Sequence, residues 1–256
     1  MKKFTLFFVA ALFAAVFSMN QTHAQPTEPA GMYFIMEEFV APADMAEFWK
    51  VQSEGLKMFD QLGFKMNYGA FHTDHSSFYW AVPIKNFASI DTFYAQWMEQ
   101  TKAMKEAGWD PEAKFRDLSN ISQFVVVRNK DLSYQPAEQA ADAPMPKFWE
   151  WTFMYLKAGH EKEAADAIQQ YIDFTKKEGI NYYWDIYQVV LGQHTPCWVL
   201  ETSADSEEQL RHLENELDAK YKDDYRKLWQ NFAKHVRAME TTKGWFLPDW
   251  SRHSEE

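Results

Sequence analysis

Residues 148–161 read FWEWTFMYLKAGHE, and residues 32–45 read MYFIMEEFVAPADM. Each stretch begins with nine mostly apolar and aromatic residues, which is typical of a buried strand, and each leads into a segment with helical spacing of apolar residues. The two stretches start 116 residues apart. The sequence therefore predicts that one strand-to-helix transition occurs twice in the chain.

Further landmarks recur at nearly the same distance. The matching pairs, 116 to 118 residues apart, are Gly63 with Gly179, Ser89 with Ser206, Trp80 with Trp198, and Asp131 with Asp249. The offset drifts by only two residues while the elements keep their order, so we predict a tandem duplication. Residues 129–147 contain three prolines and no apolar periodicity, which indicates a linker between the two halves.

Each half is predicted to contain strand, helix, strand, strand, helix and strand. In residues 32–128 the strands are 32–40, 64–71, 77–82 and 123–128, the helices begin at Met45 and after the N-cap residue Ser89, and a short helix begins at Pro111. In residues 148–251 the strands are 148–156, 182–190, 197–201 and a last one within 236–245, and the helices are 161–177 and a long helix from Ser206 to Val236.

This order of elements defines a ferredoxin-like βαββαβ unit, which carries helices on one face of its sheet. Both faces of these strands are rich in aromatic residues. The two free faces are therefore predicted to meet in a closed core. The expected fold is α+β, with two tandem ferredoxin-like repeats that form a pseudo-dimeric α/β barrel.

Residues 32–250 resemble the dimeric α/β-barrel superfamily, which includes antibiotic-monooxygenase-like and NIPSNAP-like proteins. The resemblance rests on YLKAGHE at 155–161 and on WDIYQVVLG at 184–192, followed by SEE at 206–208. It implies the fold more directly than the function. In that superfamily two units usually pair as a homodimer. The resemblance thus implies a monomer with an internal pseudo-dimer, or a higher homo-oligomer.

The composition excludes two broad classes of protein. Hydrophobic residues make 46% of the 256 residues, aromatic residues make 17%, and the net charge is −11. A chain this rich in aromatic residues has enough apolar surface to fold, which excludes bulk disorder. Its acidic balance argues against a nucleic-acid partner, which would require clustered lysine and arginine.

The first residues have the pattern of a secretory signal peptide. Lys2 and Lys3 precede an apolar run at 4–17, and Ala24 marks a plausible cleavage site. The apolar run is too short to span a bilayer, and no later run approaches that length. We therefore expect a signal peptide at 1–24, a short segment at 25–31, a C-terminal tail at 252–256, and a secreted or periplasmic protein.

No cofactor is expected, although two weaker possibilities remain. His72, Asp74 and His75 form a compact cluster that could ligate a metal, or could equally be a solvated hairpin turn. Some haem-binding members of the superfamily place an axial histidine in the second half of a duplicated chain, and His160 is the residue considered for that role. Cys197, the single cysteine, is expected to be a buried and inert thiol.

The resemblance also implies a possible ligand site, because cofactor-free oxygenases of the superfamily bind flat aromatic molecules inside the barrel. The candidate ligand-binding residues are Tyr68, Trp80, Trp184 and Gln188, and the alternative is that the aromatic ones are simply core.

Four acids, Glu37, Glu38, Glu150 and Asp185, occur in otherwise apolar strands. A buried acid needs a partner, and desolvation would raise its pKa. Two of these acids, Asp185 and Glu150, are catalytic candidates. His72, which could serve as a base, is the third.

Three functions remain open from the sequence. We expect a protein that binds a small apolar or aromatic molecule without turnover, and thus not an enzyme. The alternative is a cofactor-independent monooxygenase or isomerase that uses the same cavity. The second alternative is an interaction protein with a fully packed barrel.

Overall fold

The structure is a computed structural model that describes residues 31–135, 145–192 and 194–252. The hypotheses on the signal peptide at 1–24, on residues 25–30, on the middle of the linker at 136–144 and on residues 253–256 lie outside the described residues.

The described residues form eight strands and five helices. The strands are β1 (Met32–Val40), β2 (Gly69–Thr73), β3 (Ser77–Pro83), β4 (Ser119–Arg128), β5 (Phe148–Leu156), β6 (Asp185–Leu191), β7 (Cys197–Ala204) and β8 (Val236–Phe246). The helices are α1 (Met45–Leu62), α2 (Ala88–Glu106), α3 (Pro111–Lys114), α4 (Glu161–Glu178) and α5 (Glu207–Ala233).

The eight strands form one closed, antiparallel barrel. Its order is β1-β3-β2-β8-β5-β7-β6-β4. In the first half (residues 32–128), β1 pairs with both β3 and β4, and in the second half (residues 148–246), β5 pairs with both β7 and β8. The pairs β2–β8 and β4–β6 join the halves. The predicted α+β class and the barrel are confirmed.

Aromatic side chains fill the interior of the barrel. Trp151 packs against Phe71 and Tyr79, with ring centroids 5.2 Å away in both cases. A Cβ atom at Gly244 would lie 2.3 Å from the Trp151 ring, so only glycine lets the indole approach β8 this closely. Phe153, Tyr187 and other buried residues complete the same cluster. The barrel core is therefore packed with side chains.

The segment after the last strand of each half crosses to the other half. Ser133 Oγ, beyond β4, accepts a hydrogen bond of 2.9 Å from the backbone N–H of Ile186. Ser251 Oγ, beyond β8, accepts one of 2.9 Å from the backbone N–H of Ala70. These matching contacts place residues 132 and 250 against the outer face of the opposite half's sheet.

Some predicted boundaries differ from the observed ones. The strands predicted to begin at 64 and 182 begin at Gly69 and Asp185, and Tyr68 and Trp184 form only isolated bridges, with Arg252 and Tyr134. Val236 is not the end of α5 but the start of β8, because it pairs with Leu156.

Candidate functional site

A cavity of about 550 Å³ lies outside the barrel, between the sheet of the second half and helices α4 and α5. The strands contribute Met154, Ile186, Leu200, Thr202 and Met239, while the helices and the segment before β6 contribute Ile168, Tyr171, Thr175, Tyr182, Trp184, Glu214, Leu217, Asp218, Lys222, Tyr225, Arg226, Trp229 and Phe232. Most of these side chains are apolar or aromatic, as in pockets that hold small organic ligands. We call this space the second-half cavity.

The corresponding space in the first half is filled. Trp250 stacks on Trp80 at 6.0 Å with ring planes 7° apart, and its ring centroid lies 5.3 Å from that of Phe78. Trp109 is also buried and lies so close to α1 that a Cβ atom at Gly55 would be 3.1 Å from the indole. The outer face of the barrel is therefore covered by packed aromatic side chains in the first half and borders a cavity in the second half.

Polar side chains gather at one end of the second-half cavity. The Tyr182 hydroxyl donates to Glu214 Oε1 at 3.2 Å, and Thr202 donates to the Tyr182 oxygen. Arg211 forms ion pairs with Glu214 and with Glu150. Five groups are thus linked into one network.

Burial alters the ionisation of two groups in this network. Desolvation raises the pKa of Tyr182, and the nearby Glu214 carboxylate adds to the rise. Tyr182 is therefore a protonated hydrogen-bond donor at neutral pH. Desolvation also raises the pKa of Glu150, although the Arg211 guanidinium opposes that rise.

The cavity opens along α5. Trp229 and Met239, which line it, are 43% and 38% exposed. Lys222 and Arg226 lie on the same helix and are exposed as well. An apolar interior thus has a rim that carries basic side chains.

Only one of the four predicted ligand-binding residues lines the second-half cavity. Trp184 does so, and its indole N–H is held by the carbonyl oxygen of Leu132 at 3.0 Å. Tyr68 and Trp80 belong to the packed layer of the first half, with ring centroids 5.8 Å apart. Gln188 lies on β6 but does not line the cavity.

The three catalytic candidates have different partners in the fold. Glu150 belongs to the polar network described above. Asp185 forms an ion pair with Arg128, with 2.6 Å between Asp185 Oδ1 and Arg128 Nη2, and both side chains are largely buried. His72 lies against Trp49 and Phe78, and burial lowers its pKa. The structure does not bring these three residues together.

Buried acids in the strands have polar partners, as their residue type requires. Glu38 accepts hydrogen bonds from Trp80 Nε1 at 3.0 Å and from Ser119 Oγ at 2.6 Å, and Glu37 accepts one from Ser77.

Glu201, on β7, is a partly buried acid that the sequence did not point to. It accepts a hydrogen bond of 2.8 Å from Trp151 Nε1, and burial raises its pKa to about 7.

The proposed metal cluster does not assemble. Asp74 Oδ1 accepts a hydrogen bond from the backbone N–H of Lys243 at 3.0 Å, and His75 Nε2 lies 3.7 Å from it. His72, in contrast, packs among aromatic rings. Within the described ranges no group of three or more potential ligands could hold a metal ion.

The cavity does not provide the usual axial ligand for haem. His160 Nδ1 lies 3.1 Å from His235 Nδ1, and neither residue lines the cavity. Among the described lining residues there is no histidine or cysteine. Cys197 lies in the barrel, and burial raises its pKa to about 12, which keeps it a thiol. These residues do not fit a histidine- or thiolate-ligated haem.

Similar folds occur among solved structures, although no family model and no curated protein sequence matches the chain. An anthrone oxidase-like protein superposes with a TM-score of 0.56 at 9% identity, covering 87% of this chain and 93% of that chain. A variant of the chlorite dismutase of Candidatus Nitrospira defluvii gives 0.53 at 11% identity, covering 88% and 95%. A candidate monooxygenase of Fusobacterium nucleatum gives 0.50 at 15% identity, covering 86% and 94%.

These likenesses show that the chain has the ferredoxin-like, dimeric α/β-barrel fold. They also correct the expectation that the protein is not an enzyme. The similar structures are those of an oxidase-like protein, a chlorite dismutase and a candidate monooxygenase, so the comparison leans toward an enzyme. Among the described residues, no helix has both the length and the apolar character needed to cross a membrane.

Proposed function

We propose that the protein is an enzyme that binds a flat aromatic substrate in the second-half cavity and takes a proton from it. The observation that carries this proposal is the placement of Tyr182 and Glu214 at one end of a space with mostly apolar and aromatic walls. Such a pocket holds a ring by contact with apolar walls and orients it with a few polar groups. The fold shared with an anthrone oxidase-like protein supports this class of substrate.

Each residue of the network has a distinct role in the proposed reaction. Glu214 lines the cavity, and its carboxylate is the proton acceptor. Arg211 holds that carboxylate in place and links it to Glu150. Tyr182, which burial keeps protonated, would turn its O–H from Glu214 to the oxygen of the substrate as negative charge develops there.

The reaction we propose is an oxidation by molecular oxygen. For anthrone, Glu214 would remove a proton from the methylene carbon, and the resulting anion would transfer one electron to dioxygen. The two radicals would combine into a carbon-bound peroxide. Loss of the second proton from that carbon, with cleavage of the O–O bond, would then give anthraquinone and one molecule of water.

Oxygen consumption with anthrone as the probe tests the proposal. We expect Glu214→Gln to lower turnover by at least about 100-fold, as removal of a general base does. Tyr182→Phe should lower turnover while anaerobic binding changes little. Glu216→Gln is the matched control, because Glu216 is 63% exposed on the same helix and does not line the cavity. Full activity in Glu214→Gln would rule out the assigned base, and failure of the wild type to bind any aromatic probe would rule out the site.

We also infer that the two halves arose by duplication and that the chain is exported. The matching hydrogen bonds of Ser133 and Ser251 support the first inference. The sequence of residues 1–24 supports the second. Mass measurement of the protein secreted or exported on expression tests it: cleavage after Ala24 is expected, and an intact N-terminus would contradict it.

A further inference from the structure

We propose that the second-half cavity selects aromatic acids, with Lys222 and Arg226 binding the anionic group of the substrate. This inference rests on the proposed function, since it concerns the same cavity. It adds a substrate class, namely fused-ring aromatic molecules that carry a carboxylate.

The spacing of charges along α5 gives the cavity two different ends. Glu214 lies at one end, while Lys222 and Arg226 follow two and three turns later on the same lining face. Eight residues separate Glu214 from Lys222 across a kink at Tyr221, and a straight helix of that length spans about 12 Å along its axis. This separation suits two or three fused rings, with the reacting carbon near Glu214 and an acidic group near the rim.

The carboxylate at the acidic end already has a partner within the protein. Glu214 is paired with Arg211, which also pairs with Glu150. A cationic ligand would therefore have to compete with a guanidinium for that carboxylate. The remaining acid on the lining is Asp218, one turn before Lys222 and exposed.

The basic end retains the capacity to bind an anion. Arg226 Nη1 lies 3.4 Å from Asp223 Oδ1, but the two side chains are 57% and 82% exposed, so this ion pair is weak. A guanidinium has five N–H donors and can engage a second carboxylate. Both basic side chains lie on the lining together with the exposed apolar rim residues Trp229 and Met239.

Affinities for three probes of equal size test the selection. The probes are 2-naphthoate, 2-naphthamide and 2-naphthylmethylamine, which are anionic, neutral and cationic. We expect the wild type to bind 2-naphthoate about 5- to 10-fold more tightly than 2-naphthamide, as two exposed ion pairs would provide. In the double variant Lys222→Met/Arg226→Met the preference should disappear while affinity for 2-naphthamide stays the same. Lys227→Met is the matched control, because Lys227 is 76% exposed on the same helix and does not line the cavity.

The outcomes separate this inference from the proposed function. Equal binding of 2-naphthoate and 2-naphthamide, or a preference that survives in the double variant, would overturn the inference. Tightest binding of 2-naphthylmethylamine would overturn it in favour of Asp218. The variant Leu200→Trp fills the cavity. If it fails to bind 2-naphthamide, the second-half cavity is the binding site, even where either of these results overturns the selection of acids. No binding of any probe to the folded wild type would overturn both.

Discussion

The two halves of the molecule share an order of elements but differ in what lies between sheet and helices. In the first half, Trp250, Trp109 and Phe115 fill that layer. In the second half, the same layer contains a cavity of about 550 Å³. The buried residues that cross from the opposite half include Trp250 in one case, and Leu132 and Tyr134 in the other.

The connection before the last strand differs as well. After α2, the chain of the first half turns back through α3 and inserts two aromatic side chains beside α1. In the second half, α5 runs for 27 residues and leads almost directly into β8, with one kink at Tyr221. The comparison shows that one architecture provides either a packed layer or a cavity, depending on the segment that follows each half and on the connection before its last strand.

Removing the aromatic filler from the first half should have the largest effect. We expect Trp250→Ala to lower the free energy of unfolding by about 3–5 kcal/mol, because it empties a site surrounded by Trp49, Phe78 and Trp80. Trp229→Ala, at the 43% exposed rim of the second-half cavity, should cost less than about 1 kcal/mol. Denaturant titration of both variants measures the difference, and equal losses would contradict the contrast between the layers.

The ionisation of Glu201, on β7 of the second half, should make the free energy of unfolding depend on pH. Because the pKa of Glu201 is raised to about 7 in the folded state, its contribution is fully present below the unfolded pKa and is lost as pH rises through 7. A rise of this pKa from the usual 4.5 of a glutamate to about 7 corresponds to a loss of about 3 kcal/mol between these two pH values. Glu201→Gln keeps an acceptor for Trp151 and should flatten this part of the profile. The free energy of unfolding of both proteins is measured from pH 4 to 9. If the variant shows the same pH dependence as the wild type, Glu201 is not responsible for it.

A smaller loss is expected where β8 approaches the barrel core. Gly244→Ala should destabilise the fold by about 1–3 kcal/mol, because the new methyl group would lie 2.3 Å from the Trp151 ring. Val126 stands on β4 opposite Tyr33, while Gly244 stands on β8 opposite Trp149, so the second half requires glycine where the first half has a branched side chain. Gly31→Ala, with nothing within 4 Å of the added atom, is the control in thermal unfolding. Equal melting temperatures would show that the core adapts to the extra methyl group.

Much of the fold could be predicted from the sequence, because period-two and helical patterns are local. The strand starts at Met32 and Phe148 and the helix ends at Gly63 and Gly179 agree with the structure. Barrel closure also follows, since both faces of the strands are apolar.

The location of the candidate site could not be predicted from local sequence patterns. Whether a sheet face is filled depends on Trp250 and Leu132, which contact strands more than 50 residues away. The sequence therefore predicted a ligand site inside the barrel, where the structure shows packed aromatic side chains. It also missed Tyr182 and Glu214. The spacing of Glu214, Asp218, Lys222 and Arg226 along one helical face was the available signal.

The most direct test of the second-half cavity as the binding site is a fluorescence titration with 2-naphthoate. Wild type, Leu200→Trp and Met98→Trp should be compared, because Leu200 lines the cavity while Met98 is 71% exposed on the first half. We predict the same dissociation constant for wild type and Met98→Trp, and at least about 10-fold weaker binding for Leu200→Trp, equivalent to about 1.4 kcal/mol. Equal affinity in all three folded proteins would contradict the account.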